Sequence, residues 1–403
     1  MVINIVRGQN QIGGSIVEIS TESTRIFLDV GVNLDGNSKN DFPNIEGLFS
    51  GKKRCDGVFI SHYHSDHIGL LEQLIKDIPI YMGEKAYKVY SAAANYRDKE
   101  VGFTANFLYD NQKIVIGDIS LTPFQCDHSA FDSYMFLIEA DNKTVLYTGD
   151  FRANGRLDYQ SLLENLPEVD AVIVEGTTLS REIEKENIEE KQLEDIAIKY
   201  METHTGPAFI LMSAMNVDRM ITAYNVALKT NRLFLEDIYT ADIAMAAGNS
   251  APQPNVEKNV RVFTTGGTKQ YERLVEYGSA KIGKHEIAKK PFLMCVRQSM
   301  KNYLDKLNEL LSFDDGVLFY GMWKGYMEQP ELQEFLTFME DKGVKVHILH
   351  TSGHADSWTI DKLIQDISPK IIIPVHTENE KWFDRYIGKC EVVYGKSEII
   401  LHN

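Results

Sequence analysis

The stretch SHYHSDHIG, residues 61–69, places His62, His64, Asp66 and His67 within six positions. Imidazole nitrogen and carboxylate oxygen together suit Zn2+, with Mn2+ or Fe as alternatives. A divalent ion on such a set acidifies water toward neutral pH, which is hydrolytic chemistry. In an extended loop alternate side chains point the same way, so His62 and His64 face one position. Asp66 and His67 then turn toward a neighbouring one. A solvated histidine-rich loop is the bland alternative, and four donors in so short a run argue against it. Two ions about 4 Å apart need further ligands, ideally with a bridging carboxylate. The remaining candidates are His128 in CDHSAFDS, Asp150 in LYTGDF and His376 in IPVHTE, each at the end of an apolar run. Loops after strands are where α/β folds build sites.

The elements that must position these residues are legible as short apolar runs. RIFLDVG (25–31), GVFISH (57–62), IPIYM (78–82), KIVIGDISLTPFQC (113–126), SYMFLIEA (133–140), TVLYTGD (144–150) and DAVIVEG (170–176) read as strands. The opening MVINIVRGQNQIGGSIVEIS reads as a strand entering the fold directly. In IGLLEQLIKDI, Ile68, Leu71, Ile75 and Ile78 fit helical spacing, which puts the histidines on a strand-to-helix loop. Near residue 177 the character changes. The charged run 181–204 reads as a helix, PAFILMS as a buried strand, and NVDRMITAYNVALK as a helix that Asn216 or Asp218 could cap. RLFLEDIYTADIAMAAG repeats strand then helix, so this block reads as a doubly wound α/β unit. From about residue 344 come VKVHILHTSGH, a helix SWTIDKLIQDI and a strand KIIIPVH.

Composition bounds the function. The 403 residues are 43% hydrophobic and 25% charged, ordinary globular values. No apolar run approaches the roughly 20 residues of a membrane helix. The first residues lack the basic-then-apolar layout of a secretory leader, which favours the cytoplasm. Cys55, Cys126, Cys295 and Cys390 are scattered and form no C-x-x-C pair, so buried reduced thiols are expected, with Cys126 of interest for lying near His128. A net charge of −16 argues against a broad basic surface for duplex nucleic acid, though not against a local basic channel.

SHYHSDHIG resembles the H-x-H-x-D-H signature of the metallo-β-lactamase fold superfamily. Asp29 in FLDVG, His128 and Asp150 resemble its first, third and fourth motifs. The order Glu175, a long α/β block, SGHA at 352–355 and PVHTE at 374–378 resembles the β-CASP branch, which includes ribonuclease J-like and pre-mRNA 3′-end processing nucleases. The resemblance covers nearly the whole chain. It implies an αββα sandwich of residues 1–176 plus 345–403, with a doubly wound α/β β-CASP domain, residues 177–344, inserted. It further implies that His62, His64 and His128 hold one zinc, that Asp66, His67 and His376 hold a second, and that Asp150 bridges them. Asp29 would orient the ligand loop.

The expected function is then hydrolysis of single-stranded RNA, endonucleolytic or from a 5′ end. Asp66 could also take the proton of the attacking water. His354 would contact the scissile phosphate or protonate the leaving oxygen, and Glu175 would fix its tautomer. Ser352 and Gly353, ahead of a helix, are candidates for phosphate contact. So are Ser213 and Asn216 in LMSAMNVDR, with simple helix capping an equal alternative. Arg297 and Ser299, with Trp323 and Lys324, could line a strand-binding cleft. Homo-oligomerisation stays open. Two other readings stand beside this one: a metallohydrolase of a small phosphodiester or other small substrate with the inserted domain as lid, and a non-catalytic binding protein on a hydrolase scaffold. A complete ligand set argues against the last.

Overall fold

The computed structural model describes residues 1–34, 43–181 and 187–402. Among the described residues, eleven strands come first. They are β1 (Val2–Arg7), β2 (Ile16–Ser20), β3 (Arg25–Leu28), β4 (Gly57–Phe59), β5 (Ile80–Gly83), β6 (Asn106–Leu108), β7 (Ile114–Ile116), β8 (Ile119–Cys126), β9 (Ser133–Ala140), β10 (Lys143–Tyr147) and β11 (Ala171–Glu175). Six follow in the middle block: β12 (Ala208–Leu211), β13 (Leu233–Asp237), β14 (Val260–Phe263), β15 (Phe292–Val296), β16 (Val317–Tyr320) and β17 (Lys345–Ile348). The chain closes with β18 (Ile371–Val375), β19 (Glu391–Val392) and β20 (Glu398–Ile400).

Two seven-stranded sheets, ordered β20-β1-β2-β3-β4-β5-β6 and β19-β18-β11-β10-β9-β8-β7, pack face to face. Period-two alternation builds this sandwich. Along β9, Tyr134, Phe136 and Ile138 point into the layer shared with Ile19, Ile26 and Phe59, while Met135 and Leu137 point out under the helices Tyr159–Asn165 and Ser357–Ile367. Helix Glu84–Tyr96 covers the other outer face through Ala86, Val89 and Ala93. The layers are therefore helix, sheet, sheet, helix. β18 pairs with β11 and β20 with β1, so the last segment of the chain completes both sheets.

The third sheet, β14-β13-β15-β12-β16-β17, is parallel throughout. Its inner strands β12, β15 and β16 are buried on both faces, as the continuous apolar runs AFIL, FLMCV and VLFY require, while edge strand β17 is partly exposed. One face shares a core with helix Glu84–Tyr96, through helices Val217–Lys229 and Ile238–Ala247.

Three expectations are corrected. IGLLEQLIKDI is not a helix: Ser65–Ile68 make one short turn and Leu71–Gln73 a 3-10 turn. Its backbone is spent on tertiary partners instead, with Leu70 N donating to Val30 O at 2.9 Å and Ile75 N to Leu48 O at 2.9 Å. The helix after the motif is Glu84–Tyr96, and its small buried residues give little helical signal. Asp132 closes its start from across the fold, accepting from Lys85 N at 2.9 Å and Ala86 N at 3.1 Å. Second, VKVHI does not return to the first sheets: β17 pairs with β16, so the crossing back falls after Ile348 rather than at residue 345. Third, the charged run 181–204 is helical only over Glu190–Met201, and residues 182–186 lie outside the described residues.

Candidate metal centre

The ends of β4, β8, β10, β11 and β18 meet at one rim, and the loops leaving them carry the donors. His62 and His64 follow β4, His128 follows β8, Asp150 follows β10 and His376 follows β18. Four overlapping groups have ligand atoms mutually within 4.8 Å: His62, His64 and His128; His62, His67 and Asp150; Asp66, His67 and His376; and Asp150, Glu175, His354 and His376. Asp150 Oδ2 lies 3.7 Å from His62 Nε2 and 3.3 Å from His67 Nε2, and its Oδ1 lies 3.6 Å from His376 Nδ1. His376 Nε2 faces Asp66 Oδ2 at 3.1 Å. His128 Nε2 and His64 Nδ1 are 3.1 Å apart. Residues far apart in sequence thus meet around one carboxylate.

Nearby side chains fix the orientation of these donors. Asp29, fully buried, accepts from His67 Nδ1 at 2.8 Å, Ser61 N at 2.7 Å and the Tyr147 hydroxyl at 2.6 Å. That turns His67 Nε2 toward the cluster. His128 Nδ1 is hydrogen-bonded to the Gly353 carbonyl, which leaves Nε2 for the centre. Thr177 Oγ1 lies 2.8 Å from His376 Nδ1. Ser61, Tyr147 and Thr177 were not anticipated from sequence, because a hydroxyl acting behind a ligand has no spacing signature.

The electrostatics suit a cation. Burial and the neighbouring imidazoles hold His62 and His128 well below the ordinary histidine range, and burial lowers His64 to about 4. Burial opposes charge on Asp66 too, but the hydrogen bond from His376 and the charge of His67 outweigh it and keep the carboxyl ionised. Burial likewise opposes ionisation of Asp150 and is outweighed by His376, His67 and His354. His62, His64 and His128 therefore offer neutral imidazoles and Asp66 and Asp150 charged carboxylates, the forms that ligate metal. At His67 burial is outweighed by Asp150 and Asp29, which raise its pKa, so a bound cation must displace that proton. The buried Nε2 atoms of His62 and His67 and Oδ1 of Asp150 have no hydrogen-bond partner. Such atoms are costly to leave unpaired. A divalent cation fits this donor set.

A family model described as the beta-lactamase superfamily domain matches residues 24–228, just over half of the chain. The chain belongs to the metallo-β-lactamase superfamily. A second model, the Zn-dependent metallo-hydrolase RNA specificity domain, matches residues 341–389, the stretch holding His354 and His376. With the relatives below, these matches make this metallo-β-lactamase a metal-dependent hydrolase of the β-CASP, ribonuclease J-like branch. A ribonuclease J of Mycoplasma genitalium is 20% identical over 92% of this chain and 67% of its own length. One from Pyrococcus abyssi is 22% identical over 92% and 88%. An RNase J-like protein of Methanocaldococcus jannaschii is 24% identical over 47% of this chain and 46% of itself, so the match spans less than half of that relative. A crystal structure of a protein of unknown function from Enterococcus faecalis V583 shares the fold, with TM-score 0.83, 19% identity and 99% of both chains covered.

The remaining site candidates of this metallo-β-lactamase fall in different places. His354 Nδ1 lies 3.2 Å from Glu175 Oε2 and 3.6 Å from Asp150 Oδ2, at the open side of the cluster with its side chain 22% exposed. Burial opposes its charge, but Glu175 and then Asp150 outweigh that and raise its pKa. Glu175 is fully buried, and Phe151 N donates to it at 3.0 Å. Ser352 and Gly353 are not at a helix N-terminus: the helix begins at Ser357 and is capped by Asp356. Ser352 Oγ instead accepts from His354 N at 3.0 Å. A Cβ on Gly353 would stand 2.5 Å from Ser129 Oγ, so only glycine fits there. Asn216 caps its helix, accepting from Arg219 N at 3.0 Å. Ser213 and Ser299 are exposed. The Ser213–Asn216 turn is tied to the histidine motif, since Tyr63 donates to Met215 O at 2.7 Å.

Arg297 does not face an open cleft. It pairs with Asp237 and lies over the rings of Tyr96 and Tyr239, at 5.4 and 4.9 Å, where it braces the inserted domain against helix Glu84–Tyr96. Trp323 carries Arg181 at 5.0 Å over its ring. Cys126 is buried and its thiol is pushed up by that burial, so it is not an anionic donor.

A further residue was missed. Arg152, fully buried two positions after Asp150, binds Asp127 at 2.5 Å, Asp218 at 2.6 Å, Glu190 at 3.4 Å and the Ser352 carbonyl at 3.3 Å. It joins the sandwich, the inserted domain and the loop carrying His354. An arginine beside a ligand motif carries no sequence signal of such a role.

Proposed function

We propose that the protein is a dinuclear zinc ribonuclease that hydrolyses single-stranded RNA, with Mn2+ or Fe as alternative metals. The observation that carries this is the six donors grouped with Asp150, whose Oδ2 lies near both His62 and His67 and whose Oδ1 lies near His376. His62, His64 and His128 would hold one ion, and Asp66, His67 and His376 the other, with Asp150 between. Bound metal supplies Lewis acidity toward a phosphoryl oxygen and an acidified water. The chain's own residues do the rest. Asp66, ionised beside His376, can accept a proton from the attacking water. His354, raised in pKa by Glu175 and Asp150 and partly open to solvent, can hold a phosphate oxygen and protonate the leaving oxygen. Glu175 keeps the imidazole aimed. Buried Asp29 holds His67 in its tautomer.

RNA as substrate is supported by the RNA specificity model over residues 341–389 and by relatives named ribonuclease J. All four cysteines are unpaired, in keeping with a reducing compartment such as the cytoplasm. Among the described residues no helix is long and apolar enough to cross a membrane. The net charge of −16 favours a second reading, a small phosphodiester as substrate. End-labelled RNA, single-stranded DNA and bis-p-nitrophenyl phosphate, each incubated with the protein and with Asp66→Ala, separate the two. Metal-dependent RNA cleavage lost in Asp66→Ala, with a steep salt dependence, is expected. Turnover of the small diester alone would replace RNA with a small substrate.

A further inference from the structure

A cavity of about 350 Å³ opens at the carboxyl end of β14, the edge strand of the inserted sheet. Thr265, Gly266, Lys284, Tyr303 and Lys306 are among the residues that line it. β14 stands three positions from β12, whose following turn touches the histidine motif, so this is a separate place.

Three independent features point to an anionic ligand. The first is charge. Among the described residues, no acidic side chain lines the cavity and neither Lys284 nor Lys306 has a carboxylate partner. Nearby lysines do: Lys290 pairs with Glu286 at 2.7 Å and Lys342 with Asp305 at 2.6 Å. In a chain of net charge −16, two unpaired lysines facing an acid-free cavity run against the prevailing sign. The second is backbone. Gly266 and Gly267, with φ of +134° and +91°, lead into helix Thr268–Glu276, and a Cβ on either would meet nothing within 4 Å. The glycines are required by the turn, and open space stands in front of them. The first N–H groups of the helix lack intrahelical acceptors and sit at the positive end of its dipole.

The third is Tyr303. It is 5% exposed, and its hydroxyl is buried with no hydrogen-bond partner. Its ring stacks on Phe263 at 5.1 Å and carries Lys284 Nζ 5.7 Å above it, so the phenol is held in place. An unpaired buried hydroxyl costs on the order of 1–3 kcal/mol. Tyr271, 59% exposed, stands at the mouth with a ring free to stack on a base.

We propose that this cavity binds the phosphate of a nucleotide, held by the first N–H groups of helix Thr268–Glu276, Lys284, Lys306 and the Tyr303 hydroxyl. The volume exceeds that of a bare phosphate and lies within the range of small-ligand sites, about 300–1,000 Å³. A free mononucleotide and the 5′-terminal nucleotide of an RNA strand present the same group.

The test is calorimetric titration of the full chain carrying His354→Ala, which removes turnover, with adenosine 5′-monophosphate, adenosine and a 5′-phosphorylated hexauridylate. Phosphate-dependent binding is expected, with adenosine failing to bind. Lys284→Glu with Lys306→Glu should weaken it at least about tenfold, and Tyr303→Phe, which keeps the ring, should weaken it severalfold. The milder Lys284→Ala with Lys306→Ala guards against misfolding of the charge reversal. Equal affinity for monophosphate and oligonucleotide assigns the site to free nucleotide, and tighter binding of the oligonucleotide assigns it to a strand end. Absence of binding by both phosphorylated probes, or binding that the lysine variants leave unchanged, overturns the proposal.

Discussion

Two groups of buried charge flank the Ser352–His354 loop, and they are finished differently. In the arginine group, Arg219 meets Glu190 at 3.0 Å and donates to the Gly321 and Leu349 carbonyls at 2.8 Å each, while Arg152 is spread over Asp127, Asp218, Glu190 and Ser352 O. None of these side chains keeps a buried polar atom without a partner. In the histidine group, His62, His67 and Asp150 each do. A complete group holds domains and loop in register, and an incomplete one is shaped for something that binds. What differs between these two groups is therefore not burial but whether their remaining polar atoms are satisfied.

The sharpest break of the comparison is at Asp150. Asp150→Ala removes the carboxylate shared by the donor groups, and hydrolysis should fall by at least about 10³-fold with bound metal reduced, read by steady-state rates and elemental analysis. Full activity with full metal would assign the bridging role elsewhere. His354→Ala should keep the metal yet lose about 10²–10⁴-fold in turnover, and loss of metal instead would make His354 a ligand.

The arginine group should respond in stability first. Arg152→Met leaves Asp127 and Glu190 buried beside an apolar chain, at a cost of about 3–5 kcal/mol in urea unfolding. Its pH behaviour follows from Glu190. Burial opposes ionisation there, but Arg219 and Arg152 outweigh it and hold the carboxyl at about 2 against an ordinary 4.5. A depressed folded-state pKa gives stability that is fully present above 4.5 and is lost as pH falls toward 2, on the order of 3 kcal/mol. Glu190→Gln should flatten that part of the unfolding profile; an unchanged slope would remove Glu190 from the account. The smallest effect is expected at Asn216→Ala, about 1 kcal/mol for a lost helix cap with metal content untouched.

The same contrast explains what sequence could reveal. The motif at 61–69 was legible because ligands that share a loop must keep fixed spacing. His128, Asp150 and His376 were legible as polar residues ending apolar runs, Asp29 through the resemblance of FLDVG to a family motif, and β9 and β11 as plain alternation and plain burial. Positions set by distant partners were not legible. Arg297 reads as a cleft residue and is a brace, since its partners come from two other segments, Asp237 with Tyr239 from one and Tyr96 from the other. The segment 68–78 has helical spacing but gives its N–H groups to Val30 and Leu48. β17 reads as part of the returning chain because an apolar run carries no label for its sheet.

The central claim, that this cluster binds divalent metal and cuts RNA, is tested most directly by one reconstitution. Protein stripped with chelator is given end-labelled single-stranded RNA, with and without added Zn2+ or Mn2+. Cleavage that returns only with metal, and never in Asp150→Ala, is the predicted result. Cleavage by the stripped protein, or none with either ion, would contradict it.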